Sequence, residues 1–313
     1  MPLISVVMPV FNCERYVAQA IDSILVQTER DFEFIIIDDA STDASPAIIK
    51  GYAHRDPRIR FKAGERNRGV TARHNEAVRL ATADLVARMD ADDISAPHRL
   101  ERELAFLKAR PDVVLVGSRV LLIDPDGDPL MEMGDALTHL EIDAGLMSRQ
   151  GQLVYQPSVM FRKSASEALG GHDESYTAAS DLDFFLKLAE FGRLENLAET
   201  LVKYRQHFNS MGYARVLEQE AMIDRALSSA RSRRGLPQIS ESEQGPSRAP
   251  ASKAKTHRIW GWWALEGGRQ RTALKHALRS LAHDPFHHET ARLFYCALRD
   301  SARPAALAAE RRA

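Results

Sequence analysis

Short apolar runs alternate with helical patterns along residues 3–117, and this alternation constrains the fold of the 313-residue chain more than any other feature. The runs Leu3 to Met8 and Phe34 to Ile37 are continuously apolar, as strands buried on both faces require. Further strands are predicted near 59–62, 85–89 and 113–116, with helices at 17–25, 45–52, 70–82 and 97–109. The pattern predicts an α/β fold, with a mostly parallel sheet flanked by helices.

Polar clusters follow three of these strands, at Pro9 to Asn12, Asp38 to Ser41 and Asp90 to Asp93. In open parallel sheets, ligands bind at the carboxyl ends of the strands. The third cluster holds three carboxylates in four residues, which repel one another unless a cation or helix amides neutralise them. Magnesium takes one or two protein carboxylates and completes its coordination with water and phosphate oxygens. A metal-assisted nucleotide site is therefore indicated.

The acidic cluster also has other interpretations. The aspartates could instead cap the helix that begins near Pro97. An EF-hand count starting at Asp90 places Ser95 where that loop needs glycine, so a calcium loop is disfavoured. Neither a GxGxxG motif nor a phosphate loop ending in Gly-Lys-Ser/Thr occurs, which disfavours a dinucleotide fold and a P-loop enzyme.

The composition limits which binding partners and which cellular compartment we expect. Lysine plus arginine (42) nearly balance aspartate plus glutamate (43), so no global field recruits nucleic acid. Cys13 and Cys296 lie far apart, and we expect two free thiols in a reducing, cytoplasmic setting. We expect neither a signal peptide nor a membrane span, because the sequence shows no pattern of the first and no apolar run long enough for the second.

Residues beyond 117 complete the predicted domain organisation. A strand at 157–161, a helix starting near Asp181 and a strand at 201–205 extend the first part, giving a main domain at 1–210 with halves 1–117 and 118–210. A helix at 211–234 and a Pro/Ser/Gly-rich linker or mobile loop at 235–256 follow. Residues 257–313 form a helical appendage that weakly resembles one tetratricopeptide-like hairpin. It either packs on the main domain or contacts a membrane or partner through its tryptophans and neighbouring lysines.

Taken in order, six motifs in residues 3–210 resemble the family 2 inverting glycosyltransferases of the GT-A fold. They are Ile4 to Asn12, Ala20 to Thr28, Ile37 to Asp43, Asn67 to Asn75, Met89 to Asp93 and Ala179 to Asp183. The resemblance implies a GT-A type sheet, Mn²⁺ or Mg²⁺ as cofactor, and a nucleotide-sugar donor, with UDP-sugar first.

The resemblance also implies roles for individual residues. Asp181 matches the catalytic base, and Asp92 is the direct metal ligand of the DxD element, with Asp90 on the ribose or also on the metal. Further candidates are Asp38, Asn67, His172 and His207, and the residues expected to contact the nucleotide are Pro9, Phe11, Asp39, Arg73, Asp90 and Ala91. Phe11 stands where tyrosine is more usual, and Ser180 where glutamate is often found. Structural interpretations remain open, because Asp181 could only stabilise a helix N-terminus and Arg73 could be a solvated helix residue.

The predicted function is metal-dependent, inverting transfer of a hexosyl or N-acetylhexosaminyl group to a hydroxyl of a surface glycan or lipid-linked acceptor. The protein would act in the cytoplasm, with peripheral contact at the inner membrane face as an open alternative. One competing hypothesis is a non-catalytic nucleotide-sugar binding protein acting through its helical tail. Another is a sugar-nucleotide nucleotidyltransferase, although Pro9 to Glu14 lacks the glycine-rich loop that such an enzyme needs.

Overall fold

The computed structural model describes residues 1–148, 153–238 and 251–299. Two units alternate along the sequence. The first contains the described residues of Met1–Val120, Gly134–Tyr204 and Leu217–Ser247, and the second those of Leu121–Met133, Arg205–Val216 and Arg248–Ala313. These boundaries differ from the predicted ones at 117, 210 and 256, because residues 121–133 and 205–216 group with the C-terminal helices. The expected division into a nucleotide half and an acceptor half stays a prediction.

A mixed sheet forms the centre of the first unit. The strands of the chain are β1 (Ile4–Val10), β2 (Phe32–Asp38), β3 (Ile59–Ala63), β4 (Leu85–Arg88), β5 (Ile94–Ser95), β6 (Val113–Ile123), β7 (Pro129–Met133), β8 (Met160–Arg162) and β9 (Arg193–Arg205). Their order is β3-β2-β1-β4-β8-β6-β9-β5, with β7 paired to β6. Strands β3, β2, β1 and β4 are mutually parallel, whereas β8 runs antiparallel to β4 and β6.

The sheet is covered on both faces, as the continuous apolar runs predicted. Side chains alternate along a strand, so β1 sends Val6 and Met8 into one hydrophobic cluster and Val7 into another. The helices are α1 (Val17–Leu25), α2 (Ser45–Ala53), α3 (Val70–Leu80), α4 (Arg99–Ala109), α5 (His139–Met147), α6 (Lys163–Ala168), α7 (Ser180–Phe191), α8 (Met211–Ala214), α9 (Val216–Arg233), α10 (Lys253–Glu266), α11 (Gln270–His283) and α12 (His288–Arg299). The predicted α/β class is confirmed.

Three local predictions are corrected. The strand expected at 157–161 is a 3₁₀ turn, Gln156–Ser158, followed by the short β8, because Pro157 has no N–H to donate to a ladder. The strand expected at 201–205 is the end of the longer β9. Part of the expected linker is helical, since α10 begins at Lys253, whereas residues 239–250 lie outside the described residues.

In the second unit, α10 packs against α11 and α12 around a core with Trp260 fully buried. The indole Nε1 of Trp260 donates a hydrogen bond to the Tyr213 hydroxyl at 2.7 Å. Three helices are therefore described where two were predicted, and residues 300–313 of the expected appendage lie outside the described part. Among the described residues, no helix has the length and apolar character needed to cross a bilayer.

Candidate active site

The candidate site lies where the strand order reverses. Strand β1 pairs with β2 on one side and β4 on the other, and in open α/β sheets this switch point is where ligands bind. Register places Val10 opposite Asp38, and the Asp39 N–H donates to the Val10 carbonyl at 2.8 Å. Phe11 follows β1 with 50% of its surface exposed, so its ring is accessible to a ligand. The three polar clusters predicted to share one edge of the sheet do so.

Asp39 is buried and held by three donors. Its Oδ1 accepts from the Arg68 N–H at 2.8 Å and from Arg73 Nε at 2.7 Å, and its Oδ2 accepts from the Gly69 N–H at 2.8 Å. The other Arg73 nitrogens donate to Glu76 and to the Arg66 carbonyl, each at 2.7 Å. The guanidinium of Arg73 is therefore bound within the protein, and one lone pair of Asp39 Oδ2 remains for a ligand.

Asp38 ends β2 and is likewise buried. Its Oδ2 accepts from the Ser41 N–H at 3.0 Å, whereas its Oδ1 has no hydrogen-bond partner among the described residues. A buried carboxylate oxygen without a partner is costly, so it is a candidate for contact with a bound group.

Asp90 follows β4 and is paired with a buried arginine. Arg88 donates to Asp90 Oδ1 from Nε at 2.9 Å and from Nη2 at 2.6 Å. Burial raises the pKa of Asp90, Asp92 raises it further, and Arg88 opposes both. The remaining nitrogen of the Arg88 guanidinium, Nη1, lies 2.8 Å from His74 Nδ1. Oδ1 of Asp90 is thus committed to Arg88, which leaves Oδ2 for a ligand.

A cation would have few protein ligands at this edge. In the described residues, no group of three or more His, Cys, Asp or Glu side chains could hold a metal ion. This donor set fits magnesium or manganese that arrives with a diphosphate, since such ions take one or two carboxylates and several phosphate or water oxygens. Asp92, together with Oδ2 of Asp90, would supply those carboxylates.

Asp181 lies in the first turn of α7, a helix that begins directly after a strained residue. Ala179 adopts a left-handed conformation with φ 51°, and Ser180 accepts a hydrogen bond from the Thr71 hydroxyl at 3.0 Å. Burial raises the pKa of Asp181 and Asp90 adds to the rise, whereas nearby amide N–H groups and Arg88 lower it. A raised pKa brings a carboxylate closer to the range in which it accepts a proton efficiently.

Left-handed backbone occurs at three positions around the site, after β1, after β2 and before α7. Asn12 after β1 has φ 48° and Ala40 after β2 has φ 60°, in addition to Ala179. Non-glycine residues in this region cost free energy and cluster at functional sites, so the strain supports a ligand-binding role for this edge.

The sequence did not identify three residues of the site. The charge of Arg88 lowers the pKa of Asp90 and of Asp181, and His74 contacts Arg88. In β9, the pKa of Tyr204 is raised well above its usual value by burial, and by the four carboxylates Asp93, Asp90, Asp92 and Asp181. An arginine within an apolar strand was the available signal for Arg88, because a buried guanidinium needs partners.

The remaining predicted residues occupy varied positions. Pro9 is buried in β1, and Asn67 is exposed before α3. The Ala91 carbonyl accepts from the Cys13 thiol at 3.3 Å. His172 is buried, with its ring 4.1 Å from that of Phe184, and burial lowers its pKa to about 3. His207 belongs to the second unit. The nucleotide, metal and catalytic roles of all these residues stay predictions.

The sheet order and the carboxylates at its switch point define the protein as an α/β protein with a candidate nucleotide site. The profile of Glycosyl transferase family 2 matches residues 5–169, so the chain belongs to that family. A putative glycosyltransferase of Bacillus subtilis, EpsE, is 36% identical over 209 residues, covering 66% of this chain and 73% of the relative. The protein is accordingly a nucleotide-sugar glycosyltransferase, and the predicted family is confirmed.

Solved structures share the fold. TarS of S. aureus, in complex with UDP-GlcNAc, has a TM-score of 0.57 at 17% identity, covering 95% of this chain and 80% of the other. The mannosyltransferase PcManGT of Pyrobaculum calidifontis, in complex with GDP-Man and Mn²⁺, has a TM-score of 0.57 at 19% identity, covering 97% and 81%. The predicted GT-A fold is confirmed.

Proposed function

We propose that the protein is a metal-dependent, inverting glycosyltransferase that uses a nucleotide diphosphate sugar, with a UDP-sugar first. The observation that carries this proposal is the set of carboxylates at the switch point. Asp39 and Asp90 follow β2 and β4 on either side of β1, and Asp181 is near enough to Asp90 and Arg88 for their charges to act on it. A carboxylate with a raised pKa thus lies beside the carboxylates that suit a metal and a diphosphate. A protein that only binds a nucleotide sugar has no need of such a proton acceptor.

The donor would bind across the ends of β1, β2 and β4. Phe11 would stack on the base, and the remaining lone pair of Asp39 would accept a ring N–H, while Arg73 holds Asp39 in place. TarS was solved with UDP-GlcNAc and PcManGT with GDP-Man, so uridine and guanosine donors are both to be tested. Asp92 and Asp90 would hold Mn²⁺ or Mg²⁺, which stabilises the negative charge that develops on the leaving diphosphate.

The chemical step would be one displacement. Asp181 takes the proton of the acceptor hydroxyl as the oxygen bonds to the anomeric carbon. The bond from that carbon to the diphosphate breaks, and the nucleoside diphosphate leaves with the electron pair. Attack opposite the leaving group inverts the anomeric centre. The acceptor would be a hydroxyl of a surface glycan or of a lipid-linked glycan, met at the inner membrane face. The free thiols Cys13 and Cys296 support a reducing, cytoplasmic setting.

A thermal-shift panel of uridine, guanosine and thymidine diphosphates, each with and without Mn²⁺, tests this proposal. Ligand at 100 times its Kd adds about 2.7 kcal/mol, which moves the midpoint by several degrees. We expect one nucleotide to give a manganese-dependent shift, and Asp92→Asn to remove the dependence on manganese. Asp112→Asn is the matched control, since Asp112 is an exposed carboxylate paired with Arg110. A wild type that shifts with none of the nucleotides would contradict the proposal and favour a non-catalytic role.

A further inference from the structure

The first half of α3 carries four buried polar side chains, and each contacts a different segment of the first unit. Thr71, Arg73, His74 and Asn75 are all at most 9% exposed. Buried polar groups are hydrogen-bonded in native proteins, so the partners of these four show what the helix holds. Arg73 binds Asp39, as described above, and Asn75 binds the backbone of His172 through both its amide nitrogen and its oxygen.

Through Arg88, His74 is linked to Asp90, which lies in the part of the site proposed to bind the sugar nucleotide. A guanidinium has no acceptor, so the contact of 2.8 Å requires His74 Nδ1 to accept and the ring to be neutral, with its proton on Nε2. Arg88 is thereby fixed on the side opposite Asp90. Both of its remaining donor groups, Nε and Nη2, then point at Asp90 Oδ1.

Thr71 reaches the catalytic side through Ser180. Its hydroxyl donates to Ser180 Oγ at 3.0 Å, and both side chains are buried. Ser180 is the first residue of α7 and directly precedes Asp181. The N-cap residue Ala179 has no side-chain acceptor, so a side-chain link from α3 sets the start of this helix.

We propose that His74 and Thr71 are positioning residues, His74 for the donor-binding Asp90 through Arg88, and Thr71 for the catalytic base Asp181 through Ser180. The inference rests on the proposed function. It requires the two residues to affect different kinetic constants, although they lie one turn apart on one helix. Loss of the His74 link misplaces a donor contact, and loss of the Thr71 link misplaces the proton acceptor.

Paired variants at the two positions test whether His74 and Thr71 affect different kinetic constants. His74→Leu removes the acceptor, and His74→Asn places an amide oxygen near the position of Nδ1. Thr71→Val removes the hydroxyl at constant size, and Thr71→Ser retains it. Arg79→Gln, at an exposed position of the same helix, is the control. For each we would measure the Kd of uridine diphosphate with Mn²⁺ by calorimetry, or of whichever nucleotide the panel selects. Release of that diphosphate from its sugar nucleotides, with water as acceptor, gives kcat and KM.

We expect His74→Leu to raise Kd and KM by about 10-fold or more, the usual effect of losing a partner of a ligand-binding group, and His74→Asn to recover most of it. Thr71→Val should lower kcat by about 10-fold with Kd unchanged, and Thr71→Ser should recover kcat. If His74→Leu does not fold, His74→Gln replaces it, because its amide lies near the Nε2 position and cannot serve Arg88.

The outcomes separate this inference from the proposed function. If the wild type binds no nucleotide with manganese, both are wrong. If the wild type binds and turns over but the His74 and Thr71 variants behave like Arg79→Gln, the inference alone is wrong. A fall in Tm and in active fraction that is equal at both positions, with no split between KM and kcat, would likewise show a merely structural role and overturn it.

Discussion

At Asp181, two influences of opposite sign meet. Burial and the nearby charge of Asp90 favour the protonated carboxyl, whereas amide N–H groups at the start of α7 and the Arg88 guanidinium favour the carboxylate. The balance leaves the pKa above its ordinary value. An aspartate stabilised only by a helix N-terminus would have a lowered pKa instead. The environment of this residue therefore favours proton acceptance over simple helix capping.

Asp181→Asn should remove most turnover and leave nucleotide affinity nearly unchanged, because the amide keeps the size of the side chain but cannot take a proton. General-base catalysis contributes about 10² to 10⁴ in rate, which sets the expected loss in kcat. Steady-state release of nucleoside diphosphate and calorimetric nucleotide binding would be measured together. Glu190→Gln, on the same helix but paired with Arg233 at the surface, is the matched control. Near wild-type kcat in Asp181→Asn would remove the residue from this role.

The acidic residues of the site could be predicted from the sequence, but their partners could not. Asp39, Asp90 and Asp181 each occur in a recognisable local motif. Arg88 and His74 are separated by 14 residues, and their contact depends on how α3 packs on the sheet, which no local pattern encodes. Arg73 was expected to reach the diphosphate or the ribose, and the structure shows its nitrogens bound to Asp39, Glu76 and Arg66.

At the scale of elements, periodicity was most informative where an element is long or fully buried. Strands β1 and β2 and helices α1 to α4 were predicted within about two residues. The two strands are continuously apolar runs buried at every residue, and the helices repeat their apolar residues at a period of 3.6. Strand β5 has two residues, Ile94 and Ser95, and its existence depends on pairing with β9. Such a segment carries too few residues to show a period, so its structure is decided by tertiary contacts.

Alanine substitutions at two glycines of the first unit should have opposite effects on stability. Gly51 lies inside α2, and a Cβ there would meet nothing within 4 Å. Gly51→Ala should therefore stabilise the unit by about 0.5–1 kcal/mol through helix propensity. At Gly64, a Cβ would clash with the Arg73 guanidinium and lie 2.8 Å from the Asp38 carbonyl. Gly64→Ala should destabilise by about 1–3 kcal/mol.

Denaturant unfolding followed by far-UV circular dichroism would measure both changes. Because Arg73 holds Asp39, Gly64→Ala should also weaken nucleotide binding, whereas Gly51→Ala should leave it unchanged. Equal stability of the two variants would show that the segment around Gly64 relaxes, and would contradict the packing argument.

At the scale of the whole molecule, we expect acid to lower the free energy of unfolding, because both units bury neutral histidines. In the first unit, burial lowers the pKa of His74 well below its ordinary value and lowers that of His172 to about 3. In the second unit, burial lowers the pKa of His257 to about 4, together with the charges of His276, Arg279 and His283. His257 Nδ1 lies 3.1 Å from His276 Nδ1, whose ring contacts Asp124 through Nε2 at 3.0 Å.

The tryptophans allow the acid response of the second unit to be read separately. All three, Trp260, Trp262 and Trp263, lie in α10, so intrinsic fluorescence reports the unfolding of that unit. An unfolded histidine titrates near pH 6.5 and the folded His257 near 4, so the unfolded state binds more protons below pH 6.5. The stability due to neutral His257 is thus complete above pH 6.5 and is lost as the pH falls towards 4.

Between pH 7 and pH 5, this single group should lower the free energy of unfolding of the second unit by about 2 kcal/mol. Urea titrations followed by tryptophan fluorescence at several pH values would measure the slope. His257→Asn retains a hydrogen-bonding group towards His276 but does not titrate, so its slope should be shallower by that amount. His288→Gln is the control, because the His288 side chain is 84% exposed and should leave the slope unchanged. If His257→Asn kept the wild-type slope between pH 7 and pH 5, that slope would have to come from other groups of the unit. Asp124 would add to the acid response only at lower pH, because hydrogen bonds from His276 and Lys275 outweigh its burial and hold its pKa below the ordinary range of an aspartate.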